Sequence, residues 1–343
     1  METRYMTRTL LTRLTTIASL ALAPLSAAQA NDFENAFDSA FGTELRAPRE
    51  FNPDYTDPLA RQVAQLADGS SGRIGVAALD LSTGREISVL GDQRFPMAST
   101  SKIAIAATFM EGVEQGKWSL TSEFPLLWSV RSTPFSTTTA PVRKGEYMSA
   151  RELIDLMLTR SSNPATDALL AAVGGPDAVN DWVSRAGLED FELTRDIATL
   201  VRDDGEFDPA QHIDMRDSAT PETMVELLTG LYQGRWLSAE SREVILDAMA
   251  RCRTGVRRIR GQMPDDVSVA HKTGSLHNTS SDIGIITAPD GRSYVVAIYV
   301  TGQGSRGNRE KRIASIARAI YDGYSETGPQ FANASYGNAA NAN

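Results

Sequence analysis

The chain has 343 residues, with 34 Lys and Arg against 43 Asp and Glu, a formal net charge of −9, 41% hydrophobic residues and one cysteine. The apolar fraction sustains a core and excludes wholesale disorder. The acidic balance argues against nucleic acid or an anionic membrane as the main partner, because both reward clustered Lys and Arg. Cys252 stands alone, which excludes an internal disulfide and a thiolate metal cage and reads as a small buried apolar residue.

The first segment reads as a signal peptide over residues 1–30. Arg4, Arg8 and Arg13 make a basic start, Leu14 to Leu25 is an uncharged apolar run, and Ala28-Gln29-Ala30 offers a small-residue cleavage site. The run is too short to span a bilayer and no second long apolar stretch follows, so an exported protein, periplasmic or secreted, with no transmembrane segment is expected. Its removal leaves 31 basic against 42 acidic residues. Residues 31–58 mix acids, Pro and Asn without a sustained period and read as a linker; residues 326–343 are small and polar and read as a disordered tail.

Between them, 59–325 reads as one catalytic domain. Leu59 to Ala67 is a short amphipathic helix. Arg73–Leu81 and Glu86–Leu90 flank Ser82-Thr83-Gly84 and predict a hairpin. Lys102 to Val113 is apolar nearly all round and predicts a buried helix. Helical patterns follow at Ser149–Thr159, Pro164–Val173 (ended by Gly174-Gly175), Pro176–Ala186, Pro221–Tyr232 and Ser238–Met249. Strand patterns return at Val267–Ala270, Asp282–Thr287 and Arg292–Thr301, and Asn308–Gly323 closes the domain as a helix. Early and late strands with helices between predict an α+β fold: a five-stranded antiparallel sheet flanked by helices, plus an all-helical lobe, with a cleft between the two lobes.

Lysine is scarce, and one of the five, Lys102, opens the buried helix three residues after Ser99. Residues at i and i+3 share a helix face, so hydroxyl and amine can come within hydrogen-bond reach. A desolvated lysine loses basicity and can take the serine proton. The S-x-x-K pattern alone recurs by chance. Here it is followed by Ser161-Ser162-Asn163 between two helical patterns and by His271-Lys272-Thr273-Gly274-Ser275 after a strand.

Those three elements, in that order, resemble the signature of class A β-lactamases and penicillin-binding serine hydrolases. Phe95–Lys102, Met148–Ile154 and Ser281–Ile286 are also similar to class A sequence, and the resemblance covers nearly all of 59–325. It implies that Ser99 is the acylated nucleophile, Lys102 its activating partner and Ser161 a proton relay to the leaving nitrogen. Asn163 would hold the substrate's side-chain amide, and Lys272 and Thr273 its carboxylate. The backbone N–H groups of Ser99 and Ser275 would form an oxyanion hole, stabilising charge that develops in the transition state. Arg258 stands where some members place a carboxylate-binding arginine, although Arg251, Arg253, Arg257 and Arg260 leave open a solvated basic face. No metal or cofactor is implied, and a monomer acting on a β-lactam or a peptidoglycan stem peptide is expected.

The loop that carries the family's deacylating glutamate departs from the pattern. Arg202 and Asp217, fifteen residues apart, match the ion pair that closes this Ω loop, and counting from them puts the base at Asp204. Counting from Thr194-Arg195 puts Leu200 there instead. Asp204 is the preferred base, with Glu206 as a substitute; with Leu200 there would be no base and the acyl-enzyme would persist. Ser162 replaces the family's usual Asp. The function expected is β-lactam hydrolysis through an acyl-enzyme at Ser99. The alternatives are a D-Ala-D-Ala peptidase that deacylates slowly and a non-hydrolytic sensor. A Ser-His-Asp esterase is disfavoured: His212, His271 and His277 are the only histidines, no G-x-S-x-G elbow is present, and His271 and His277 read as polar strand ends.

Overall fold

The computed structural model describes residues 43–44, 56–69 and 71–326. The leader, most of the linker and nearly all of the tail lie outside the described residues. Within the expected linker, β1 (Thr43–Glu44) pairs antiparallel with β8 (Ile213–Asp214).

The architecture is α+β. Strands β2 (Ile74–Asp80), β3 (Glu86–Val89), β10 (Ser268–Leu276), β11 (Thr279–Thr287) and β12 (Ser293–Thr301) form an antiparallel sheet in the order β10-β11-β12-β2-β3. The chain ends of the domain thus meet in one sheet, which is why the strand patterns sit at both ends of the sequence. Every residue of β12 is buried, and its apolar side chains alternate between two cores. Tyr294, Val296, Ile298 and Val300 pack with α1 (Pro58–Leu66) and α9 (Arg306–Glu326). Val295, Ala297 and Tyr299 face the helical lobe.

That lobe contains α2 (Lys102–Glu114), α3 (Ala150–Thr159), α4 (Asn163–Val173), α5 (Pro176–Arg185), α7 (Pro221–Gln233) and α8 (Ala239–Ala250). Helix α2 is buried from Lys102 through Met110, as its unbroken apolar run predicts. A reciprocal capping box between Ser149 and Glu152 starts α3, and Gly174 ends α4 in the left-handed region at φ 110°. A hairpin of β5 (Glu123–Ser129) and β6 (Val142–Ser149), absent from the sequence reading, crosses beside the lobe; its residues are largely half-exposed and lack a clean apolar alternation. The short strands β4 (Phe95–Pro96), β7 (Phe191–Glu192) and β9 (Ser218–Ala219) form a small sheet that anchors both the segment before Ser99 and the far end of the Ω region.

Candidate active site

Ser99 lies in a 3₁₀ turn, Ala98–Ser101, that runs directly into α2. The turn is held from behind: Met97 N donates to Asp217 O at 2.9 Å, Thr100 Oγ1 bonds Met97 O at 2.8 Å and Tyr299 OH at 2.9 Å, and Ser101 Oγ donates to Ala98 O at 2.9 Å. Ala98 is forced to φ 49°, a conformation that costs a non-glycine residue about 1–2 kcal/mol and persists only where its surroundings over-determine it. Strand β10 presses against this turn. A Cβ on Gly274 would stand 2.4 Å from Ser281 Oγ, 2.7 Å from Met97 O and 3.1 Å from Ala98 Cβ, so only glycine permits the approach. Ser275 follows directly, which brings the strand end and the serine turn together.

Ser161 occupies the link between α3 and α4, also at positive φ, 57°. Ser162, the departure from the family pattern, is the N-cap of α4 and accepts from Ala165 N. Lys102 is fully buried, and its ammonium donates to Ser161 O at 2.9 Å, Ser161 Oγ at 3.2 Å and Asn163 Oδ1 at 2.8 Å. From the opposite side Lys272 Nζ donates to Ser161 Oγ at 3.0 Å and to Thr273 O at 2.8 Å. The Ser161 hydroxyl therefore bridges two buried lysines.

The hydrogen bond expected between Ser99 and Lys102 is not formed. The three ammonium protons go to a carbonyl, an amide oxygen and the Ser161 hydroxyl, acceptors that the turn at Ser161 aims at Nζ. Burial pushes the Lys102 amine well below its ordinary basicity, and the nearby Lys272 charge pushes it further, with the Asp167 carboxylate acting in the other direction. Asp167, one turn after Asn163 on α4, was not singled out from the sequence. It accepts from Ile197 N at 2.7 Å and Ala198 N at 3.0 Å, and burial, aided by the Asp196 charge, lifts its carboxyl to about 7 against those hydrogen bonds.

Arg258 is 1% exposed and turned inward, whereas Arg251, Arg253, Arg257 and Arg260 are exposed. Its guanidinium donates to Gly274 O at 2.8 Å, Ser281 O at 2.7 Å and Ser275 Oγ at 2.6 Å, and pairs with Glu310 at 3.4 Å. It buttresses Ser275 rather than presenting a free two-pronged fork to the cleft. Thr273 Oγ1 lies 2.6 Å from Thr254 Oγ1.

The Ω region is anchored differently from the sequence expectation. Asp217 pairs with Arg195, not with Arg202: Arg195 Nε lies 2.5 Å from Asp217 Oδ2, and Thr194 N and Arg195 N also donate to Asp217. Arg202 instead forks onto its neighbour Asp203, which accepts from Phe135 N. The local pair wins because α6 (Ile197–Arg202) ends there and places the two side chains side by side. Asp204 does not join the lysines; both its oxygens accept from His277 N, at 3.0 and 2.8 Å. Glu206 pairs with Arg216 at 2.7 Å, and Leu200 is buried, 4% exposed. His277 lies just past β10 as a strand-end residue, but His271 does not: it is buried in mid-strand.

With this geometry in place, the comparisons bear on kinship. A family model described as "Beta-lactamase enzyme family" matches residues 58–324. The chain belongs to the β-lactamase enzyme family. It is 30% identical over 263 residues to the β-lactamase Toho-1 of Escherichia coli, covering 76% of this chain and 87% of that protein. It is 28% identical over 265 residues to an imipenem-hydrolyzing β-lactamase of Enterobacter cloacae, with the same coverages. Among solved structures, an ancestral class A β-lactamase matches with a TM-score of 0.67 and 34% identity, over 77% of this chain and 99% of that one. A β-lactamase from Chitinophaga pinensis matches at 0.67 and 27%, over 78% and 100%. The class A superfamily expected from the three motifs, and the α+β fold expected from the order of strands and helices, are thereby established. Among the described residues no helix of this family member is long and apolar enough to cross a membrane.

Proposed function

We propose that this protein is a serine β-lactamase that opens β-lactam amides through an acyl-enzyme at Ser99, acting as an exported monomer without metal or cofactor. The observation that carries the reading is the Ser161 hydroxyl held between Lys102 Nζ at 3.2 Å and Lys272 Nζ at 3.0 Å, beside the serine turn. A lysine that loses its proton easily has two donors for its three acceptors and a lone pair to turn toward Ser99. In that state it takes the Ser99 proton as Oγ adds to the lactam carbonyl. When the C–N bond breaks, Ser161 gives its proton to the nitrogen and regains one from Lys102. The Ser99 and Ser275 N–H groups stabilise the oxyanion, and the Lys272 ammonium and Thr273 hydroxyl receive the substrate carboxylate, with Ser275 held by Arg258. Asn163 takes the side-chain amide.

Deacylation returns water across the ester. With Asp204 engaged by His277 and Glu206 by Arg216, Lys102 serves as the base in this step too: it takes the water proton and passes it to the departing Ser99 oxygen. Intact-mass spectrometry during β-lactam turnover tests the reading. A transient adduct on the wild-type chain and none on Ser99→Ala are expected. An adduct that lasts for hours would favour the slowly deacylating D-Ala-D-Ala peptidase, and neither adduct nor turnover would reject the serine mechanism.

A further inference from the structure

A groove of about 530 Å³ runs between the outer strands of the sheet, β2 and β3, and helix α7, and none of the residues around Ser161 lines it. Its volume is that of a small-molecule site. Six carboxylates stand along it, on the exposed residues Glu86, Asp92, Glu189, Asp190, Glu222 and Glu226. Asp190 pairs with Arg94 at 3.2 Å and Glu226 with Arg235 at 3.6 Å. Among the described residues no salt bridge joins Glu86, Glu189 or Glu222; Glu222 accepts from the Ser88 hydroxyl at 2.5 Å. The groove is therefore more negative than its arginines offset.

Acidity alone would describe an ordinary solvated face, and Thr229 sets this one apart. It is 2% exposed and lines the groove from α7, on the helix face that it shares with Glu222, Val225 and Glu226. A threonine inside a helix can turn its hydroxyl back to the carbonyl four residues earlier. Thr108, Thr159 and Thr166 do so, donating to Ala104 O, Asp155 O and Ser162 O at 2.9, 2.7 and 2.7 Å. Thr229 does not: its buried Oγ1 meets neither Val225 O nor any other described group. Leaving a buried hydroxyl unanswered is costly, and valine has the same shape without that cost. A hydroxyl kept on the groove face is explained if a ligand answers it.

The class of ligand follows from the spacing. Among the described residues no three acidic or histidine side chains converge closely enough to hold a metal ion, so one compact cation does not collect this charge. Glu222 and Glu226 stand one helical turn apart, about 6 Å along the axis, and Thr229 lies most of a turn further on. The apolar side chains of Ala77, Leu79 and Val225 line the groove with them. We propose that the groove binds a linear polyamine, with ammonium groups against Glu222 and Glu226, one of them donating to Thr229 Oγ1, and methylene segments over Ala77, Leu79 and Val225.

Calorimetric titration of the full chain with spermidine, at low ionic strength where exposed charges are least screened, tests this. One saturable site is expected. Glu222→Gln combined with Glu226→Gln should weaken it at least tenfold, whereas Glu240→Gln combined with Glu243→Gln, which removes the same charge from exposed positions on α8, should weaken it less than twofold. Thr229→Val should weaken it about tenfold, since a hydrogen bond to a charged group is lost, while its melting temperature holds or rises. No saturable binding overturns the proposal. So does an equal loss in the two charge-matched pairs, which would mean general attraction to an acidic protein, or unchanged binding by Thr229→Val. Tighter binding of a tri-lysine peptide than of spermidine would overturn the polyamine in favour of a basic peptide. Every readout is binding itself, so the result stands whatever becomes of the β-lactam chemistry.

Discussion

The serine turn and the Ω region are held by different physics. The turn Ala98–Ser101, the Ser161 link and β10 are fixed by backbone packing: positive φ at Ala98 and Ser161, Tyr299 against Thr100, and a glycine that lets β10 touch Met97. The segment from Thr194 to Asp217 is fixed by charge and by hydrogen bonds to carboxylates, with Asp217 on Arg195, Asp167 on Ile197 and Ala198, Asp203 on Arg202, and Glu206 on Arg216. Packing constraints of the first kind specify residue types tightly and keep motifs intact. Ion pairs of the second kind depend on which side chains the fold brings together, and here Asp217 meets Arg195 while Arg202 meets Asp203.

Breaking the first region should have the largest effect. Lys102→Ala removes the proposed base and one side of the Ser161 bridge, and acylation rates measured by stopped flow should fall by about 10²–10⁴-fold. A fall of less than tenfold would remove Lys102 from proton transfer. Arg195→Ala attacks the second region: Asp217, 2% exposed, would keep its backbone donors but lose its cation, and denaturant unfolding should register about 2–3 kcal/mol of destabilisation, while Arg202→Ala, at the pair first expected to close the loop, should cost less. The reverse order would restore the Arg202 anchor.

Asp167 allows a subtler test. Its folded carboxyl titrates at about 7 against an ordinary 3.8, so the fold binds this proton more tightly than the unfolded chain and loses that stabilisation as pH rises toward and through 7. Asp167→Asn cannot ionise. Its melting temperature relative to wild type should therefore rise by a few degrees between about pH 4 and pH 8, and a pH-independent difference would show that the carboxyl is not strained by burial. The smallest effect is expected at Asp204. Its carboxylate is held by His277 N, so Asp204→Asn should slow loss of the acyl-enzyme by less than about threefold; a slowing of about a hundredfold would return the deacylating role to Asp204.

The strands, the buried helix α2 and the end of α4 at Gly174 were legible because each depends on local pattern: alternation, an unbroken apolar run, a glycine stop. The hairpin β5–β6 was not, since its half-exposed faces carry no period. Ser99, Lys102, Ser161 and Lys272 were legible as motifs, but three bonds of Lys102 were not: the sequence places its amine near a hydroxyl, and the fold supplies stronger acceptors from a different link.

Sequence alone therefore determined the family and the α+β arrangement, because each is encoded in spacing along an element. Tertiary structure decided which partner answers which: Arg195 rather than Arg202 for Asp217, Glu310 and the Ser275 hydroxyl for Arg258, and Asp282 for a histidine that sequence had placed at a strand end. Partners of this kind are chosen by distance and burial across the fold. Two arginines seven positions apart compete for one carboxylate on equal terms until packing brings one of them to it.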